Sequence, residues 1–219
     1  MKTLRLHSFY LAIIGDIVRS REIPDRKAFQ QQFHRVMHQV NRRFQSDILS
    51  PFTVTLGDEF QALLTRADSL FTIQQFLRKH LAPQQLVFGV GIGEIETDIN
   101  RETSIGMDGP CFRLAREQVE AAKTKPPRMR FAVQGVDSEV CNTLMRHIER
   151  LEDRRTPRQR EIVQVYQEVR HQQKAAARMG ISQAAVSQAL ESAGYFLVEE
   201  SRMALTKFIG QFLRPIAAM

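Results

Sequence analysis

Two carboxylates draw attention because of the residues around them. Asp16 falls near the end of the apolar run FYLAIIGDI at 9–17, and Asp58 with Glu59 lies in FTVTLGDEF at 52–60. An aspartate within an apolar strand is costly unless it is paired or metal-bound. Two such groups on rigid strand ends can share a divalent cation, Mg2+ or Mn2+, and the cation can hold a triphosphate. The plainer alternatives are an ion pair of Asp16 with Arg19 or Arg21, and ordinary Gly-Asp turn chemistry at Asp58.

Further along, Asp108, Arg113 and Arg116 open a helical segment, and the two arginines, one turn apart, could face a single phosphate. The bland reading of the same residues is a solvated polar face. Gly89, Gly91 and Gly93 recur at period two, which leaves one sheet face bare of side chains. A helix packing closely there is the plain reading; a nucleotide lying against the backbone is the sharper one. Gly57, Gly91, Asp108 and Arg113 are thus the candidate nucleotide contacts. His34 and His38 have i, i+4 spacing, but no third zinc ligand accompanies them, and a surface pair is the better reading.

A second kind of chemistry lies in KAAARMGISQAAVSQALESAG at 174–194. Ala176, Gly180 and Val186 sit at helix-turn-helix spacing: a small residue where helices cross, a turn glycine, and a valine packing inward. Met179, Ile181 and Leu190 fill the other buried positions. Ser182 is a good N-cap for the second helix. Gln183, Ala184, Ser187 and Gln188 would then face the major groove of duplex DNA, where glutamine can read adenine and alanine can meet a thymine methyl. The basic flank supplies Arg154, Arg155, Arg158 and Arg160 for phosphates. The alternative is a helical hairpin used for protein contacts.

The elements that must position these groups follow from periodicity. Residues 8–18 read as a buried strand, and Pro24 stands near the first turn of a helix carrying Phe29, Phe33, Val36, Val40 and Phe44. Phe52, Val54 and Leu56 alternate, as do Phe60 and Ala62, with Gly57-Asp58 as the hairpin turn between them. Leu70, Ile73, Phe76, Leu77 and Leu81 mark a second helix ending before Pro83, and 86–95 reads as a strand. A loop over 96–109 leads to a helix with Phe112, Ala115, Val119 and Ala122. A short strand (129–134) and a helix (138–151) follow. The first six elements give the split βαββαβ pattern, in which the second hairpin strand lies antiparallel to the first strand. That topology brings Asp16 to Asp58.

The charged segment DRRTPRQR at 153–160 has no apolar period and is read as a boundary between domains at 1–152 and 153–219. Beyond it come a helix with Ile162, Val165, Tyr166 and Val169, the helix-turn-helix, and a C-terminal helix marked by Phe196, Leu197, Leu205, Phe208, Ile209, Phe212 and Leu213. That last helix closes the domain or serves dimerisation.

A chain of 219 residues with 43% hydrophobic content suits one large domain or two small ones. Its net charge of +7 leans towards a polyanionic partner. Cys111 and Cys141 lack zinc or redox spacing and read as free thiols in a reducing compartment. The apolar stretch at 9–18 is too short to span a bilayer, and no secretory pattern opens the chain, which points to the cytoplasm.

IIGDIVRSR (13–21), TLGDEFQALL (55–64), GVGIGEI (89–95) and GMDGPCFRLAR (106–116) together resemble the SatD family of bacterial proteins. More distantly, the same blocks are similar to class III nucleotide cyclases and the GGDEF diguanylate cyclase domain. That resemblance implies two metal ions held by Asp16 and by Asp58 or Glu59, and a transition-state role for Arg116. The chain departs from those patterns: Leu56 precedes Gly57, Phe112 stands where the cyclases have asparagine, and no base-recognising lysine has a clear counterpart. Nucleotide binding is therefore expected ahead of cyclisation. The segment TPRQREIV with the motif after it resembles the helix-turn-helix of response regulators and sigma factors.

The expected architecture is an α/β (α+β) ferredoxin-like, cyclase-related domain with an antiparallel sheet, followed by an all-α helix-turn-helix domain. The expected function is a nucleotide-responsive transcriptional regulator acting as a homodimer. The alternatives are a metal-dependent nucleotide-processing enzyme and a degenerate cyclase fold used for protein interaction.

Overall fold

The computed structural model describes residues 9–213. Its elements run β1 (Tyr10–Ile17), α1 (Arg26–Arg43), β2 (Ile48–Leu56), β3 (Glu59–Leu64), α2 (Leu70–His80), β4 (Leu86–Gly93), α3 (Pro110–Thr124), β5 (Met129–Val133), α4 (Glu139–Asp153), α5 (Pro157–Val169), α6 (Gln172–Met179), α7 (Gln183–Ser192) and α8 (Tyr195–Gly210). The chain divides into two compact units, Leu144–Ala204 forming one and the rest of the described chain the other. The charged segment at 153–160 does not separate them. Thr156 caps α5 with a capping box, and the residues on both sides of it belong to the same unit.

The first unit is a five-stranded sheet in the order β2-β3-β1-β4-β5. β1 is antiparallel to both β3 and β4, and β5 joins β4 in parallel. This is the split βαββαβ arrangement extended by one βα crossover strand. The hairpin loop between β2 and β3 is two residues long, with Gly57 at φ +52.

Parity along β1 separates the two faces of the sheet. Phe60 centres one face, with ring centroids 5.9 Å from Phe33, 5.9 Å from Phe52 and 6.1 Å from Phe88. On the other face Ala12 and Ile14 of β1 and Leu63 of β3 pack with Cys111, Phe112, Ala115 and Val119 of α3. The period-two glycines make that packing possible. A Cβ at Gly89 would lie 2.0 Å from the Ala115 carbonyl oxygen, and one at Gly91 the same distance from that of Cys111. The helix backbone rests directly on β4. Gly91 is therefore corrected as a nucleotide contact, because α3 fills the space a nucleotide would need.

The second unit is helical. Ile162 and Val163 of α5, Ala175 and Ala176 of α6, Val186 and Leu190 of α7, and Ala193 and Tyr195 after it form its core. Met179 and Ile181 pack against that core partly buried. Along α8, which passes into the first unit at Leu205, Val198, Leu205 and Ile209 are buried, whereas Phe196 and Leu197 are 42% and 56% exposed. The apolar stripe expected of this helix is thus only partly internal. Among the described residues, no helix is long and apolar enough to cross a membrane.

Candidate functional site

The register pairs Asp16 of β1 with Glu59 of β3, and the backbone amide of Ile17 donates to the Asp58 carbonyl at 3.2 Å. Topology does bring the acidic residues to one end of the sheet. Asp16 shares the parity of Ala12 and Ile14, and Glu59 that of Leu63, so both belong to the face covered by α3. Two cations on that helix meet them. Lys123 Nζ lies 2.8 Å from Asp16 Oδ2 and 2.9 Å from Glu120 Oε1. Arg116 grips Glu59 with both terminal nitrogens, one of them 2.8 Å from Oε1, and the Thr55 hydroxyl donates to the same oxygen at 2.7 Å. The Ser20 hydroxyl donates to Asp58 Oδ2.

These partners set the charge states. Burial pushes the Asp16 carboxyl above its ordinary value; Lys123 pulls it down, and Asp58 and Glu59 push it further up. Burial also opposes ionisation of Glu59, but Arg116, Thr55 and Lys123 together outweigh it and hold the carboxyl below its usual range. Glu59 in turn raises Arg116. Lys123 is raised too: burial works against its charge, and Asp16 and Glu120 prevail.

A resident divalent cation was expected here. Such ions bind through carboxylate and carbonyl oxygens that are free to face them. Both Glu59 oxygens and one oxygen each of Asp16 and Asp58 already have protein partners. Among the described residues, no group of three or more His, Cys, Asp or Glu side chains is placed to hold a metal ion. As folded, the donor set does not fit a bridging ion.

Lys123 was not singled out in the sequence. Its spacing offered the signal, since it lies two turns after Arg116 on the helix stripe that reaches the sheet end.

The other expected contacts are placed as follows. Arg113 does not join Arg116 in a phosphate clamp. It turns instead to Glu96, at 2.9 and 3.1 Å, and to Asp108 at 3.3 Å. Asp108 also accepts from the Gly109 amide at 2.6 Å. The Gly57 carbonyl accepts from the Gln30 side chain. Phe112 is buried in the core, so no polar group stands where the cyclases carry asparagine. His34 and His38 are both exposed on α1. Cys111 is fully buried, and burial pushes its thiol up to about 12, which leaves it inert.

In the helical unit, α6 ends at Gly180, whose φ of +65 is the left-handed turn conformation that glycine adopts without strain. Ser182 caps α7, its side chain accepting from the Ala185 amide at 3.1 Å. Gln183, Ala184 and Gln188 are exposed and Ser187 partly so, while Val186 and Leu190 face inward. Of the basic flank, Arg154, Arg158 and Arg160 are exposed. Arg158 pairs with Glu161 at 2.6 Å, and Arg160 donates to the Asp153 carbonyl at 3.0 Å. Arg155 is corrected as a phosphate contact. It is 8% exposed and donates to the Ala193 carbonyl at 2.9 Å, which makes it part of the core's support.

No curated protein matches the chain. Among solved structures it is similar to two described as bacterial light-regulated adenylyl cyclases. The first is 15% identical with a TM-score of 0.42, the match covering 57% of this chain and 75% of that one. The second is 13% identical with a TM-score of 0.42, covering 57% of this chain and 43% of that one. The family model that matches extends over residues 10–209, nearly the whole chain, and the protein belongs to the SatD family.

Proposed function

We propose that this SatD-family protein is a DNA-binding transcriptional regulator whose helical unit reads duplex DNA through α7. The observation that carries the reading is the face left open on that helix. Gln183, Ala184 and Gln188 project to solvent from a helix whose opposite side is locked into the core by Val186 and Leu190. A rigid helix presenting amides and a methyl group is what major-groove readout needs. Arg158 and Arg154 on the exposed flank are the phosphate contacts. A homodimer places two such helices on successive half-sites, one helical turn of DNA apart. Light scattering checks this, a dimer on DNA being the expected result and a monomer the opposing one.

The test of DNA binding is fluorescence anisotropy with duplexes selected from a random pool, at several salt concentrations. Wild type binds with a steep salt dependence. Gln183→Ala with Gln188→Ala weakens selected duplexes by about 1–3 kcal/mol per lost bidentate contact and leaves mixed-sequence DNA nearly unaffected. Arg158→Ala weakens both and lowers the salt slope by about one. Absence of salt-sensitive binding by wild type overturns the reading.

A second reading concerns the α/β unit, as a sensor for a small nucleotide. It is favoured by Arg116 and Lys123, whose side chains remain 43% and 33% exposed and so lie within reach of a phosphate. A nucleoside triphosphate that raises the melting temperature of wild type but not of Arg116→Ala supports it. Cyclisation is the weaker variant, given the buried Phe112.

A further inference from the structure

We propose that Lys123 takes the place of a divalent cation at Asp16, so that the chain itself supplies the countercharge there and the site recruits neither Mg2+ nor Mn2+. The lysine side chain is 33% exposed, but its anchor is buried. It is carried by α3, and its neighbours on that helix, Val119 at 0% and Ala122 at 6% exposure, are buried in the core shared with β1 and β3. The glycine at position 89 lets the backbone around Val119 sit against β4, which seats the helix on the sheet. The ammonium lies 2.8 Å from Asp16 Oδ2. A dication bound to the same carboxylate would lie within a few ångströms of that charge and be repelled by it. Arg116 closes off the other acid, because both Glu59 oxygens are engaged. Asp58 then remains with one hydroxyl partner, Ser20, and offers too few oxygens alone.

Lys123 is the group that keeps the cluster free of metal, and removing it should create a cation site. The experiment compares wild type, Asp16→Asn, Lys123→Met, Lys123→Gln and the double variant Lys123→Met/Asp16→Asn. Melting temperature is followed with Mg2+ or Mn2+ alone, and bound Mn2+ is counted by the loss of its free-ion electron paramagnetic resonance signal. Wild type is expected to show no metal-dependent shift and no bound Mn2+. The Lys123 variants should melt lower without metal and recover by roughly 2–4 °C as Mn2+ saturates the vacated position. The double variant should lose that recovery. Two results overturn the proposal: Mn2+ binding by wild type that Asp16→Asn abolishes, or folded Lys123 variants that bind no Mn2+. Should Lys123→Met fail to fold, Lys123→Gln, which keeps a hydrogen-bond donor at the position, carries the comparison.

Discussion

The residues at the sheet-end site and those on the open face of α7 are treated in opposite ways. In the α/β unit, Asp16, Glu59, Arg116 and Lys123 are turned on one another between sheet and helix. In the helical unit, Gln183, Ala184 and Gln188 have no place in the core and face solvent. The first set is bound up with folding, because a charge taken out of water must find its partner within the chain. The second set can be changed with little cost to the fold and is therefore free to serve recognition. Residue type alone does not distinguish the two roles. Arg155 and Arg158 are three positions apart in one basic segment, yet one supports the core and the other faces solvent.

The largest effect should come from the contact that seats the arginine and lysine over the sheet. Gly91→Val places side-chain atoms where the Cys111 carbonyl already sits, 2.0 Å from a Cβ. Overpacking of this kind costs about 3 kcal/mol or more. Urea denaturation should show the loss. A stable Gly91→Val protein would mean that α3 does not rest on β4, and the contrast between the units would fail at its base.

A smaller effect is expected at Glu59. Glu59→Gln leaves Arg116 without its anion but still partly solvated, at a cost of about 1–2 kcal/mol after allowance for that exposure. The acid response sharpens the point. The folded state holds the Glu59 proton more weakly than the unfolded chain, so its contribution is complete above the ordinary 4.5 and is lost as pH falls through the lowered folded value. Asp16 is raised and works in the other direction, its contribution fading as pH rises through its folded value. Urea midpoints measured from neutral pH downward should therefore fall more steeply below about pH 4.5 in wild type than in Glu59→Gln. Parallel curves would remove Glu59 from the ion-pair account.

The smallest effect belongs to the helical unit. Ser182→Ala removes the cap of α7 at a cost of about 1 kcal/mol. Gln183→Ala beside it should stay within about 0.5 kcal/mol of wild type. Thermal melts of the two variants test the division between a residue that holds α7 in place and one exposed on its surface. Equal losses would place Gln183 among the structural groups.

Much of this was legible in the chain. Alternation marked the hairpin strands and an unbroken apolar run marked β1, the spacing of Phe29, Phe33, Val36 and Val40 marked α1, and the two-residue Gly-Asp turn set the hairpin that brings Asp58 to Asp16. The sequence of Gly180, Ser182, Val186 and Leu190 was enough to define the α6–turn–α7 geometry, because turn conformation, capping and burial are local properties carried by a few residues. Two things lay beyond it. The sequence favoured a helix over a ligand against the bare face of Gly89 and Gly91, but only the path of α3 across β4 decides between them. Nor could it reveal the pairing of Lys123 with Asp16, 107 positions apart in the chain. Ion pairs are chosen by distance in space, and the distance was set by the packing of apolar residues on the same helix. The charges were written in the sequence; the tertiary structure decided which of them meet.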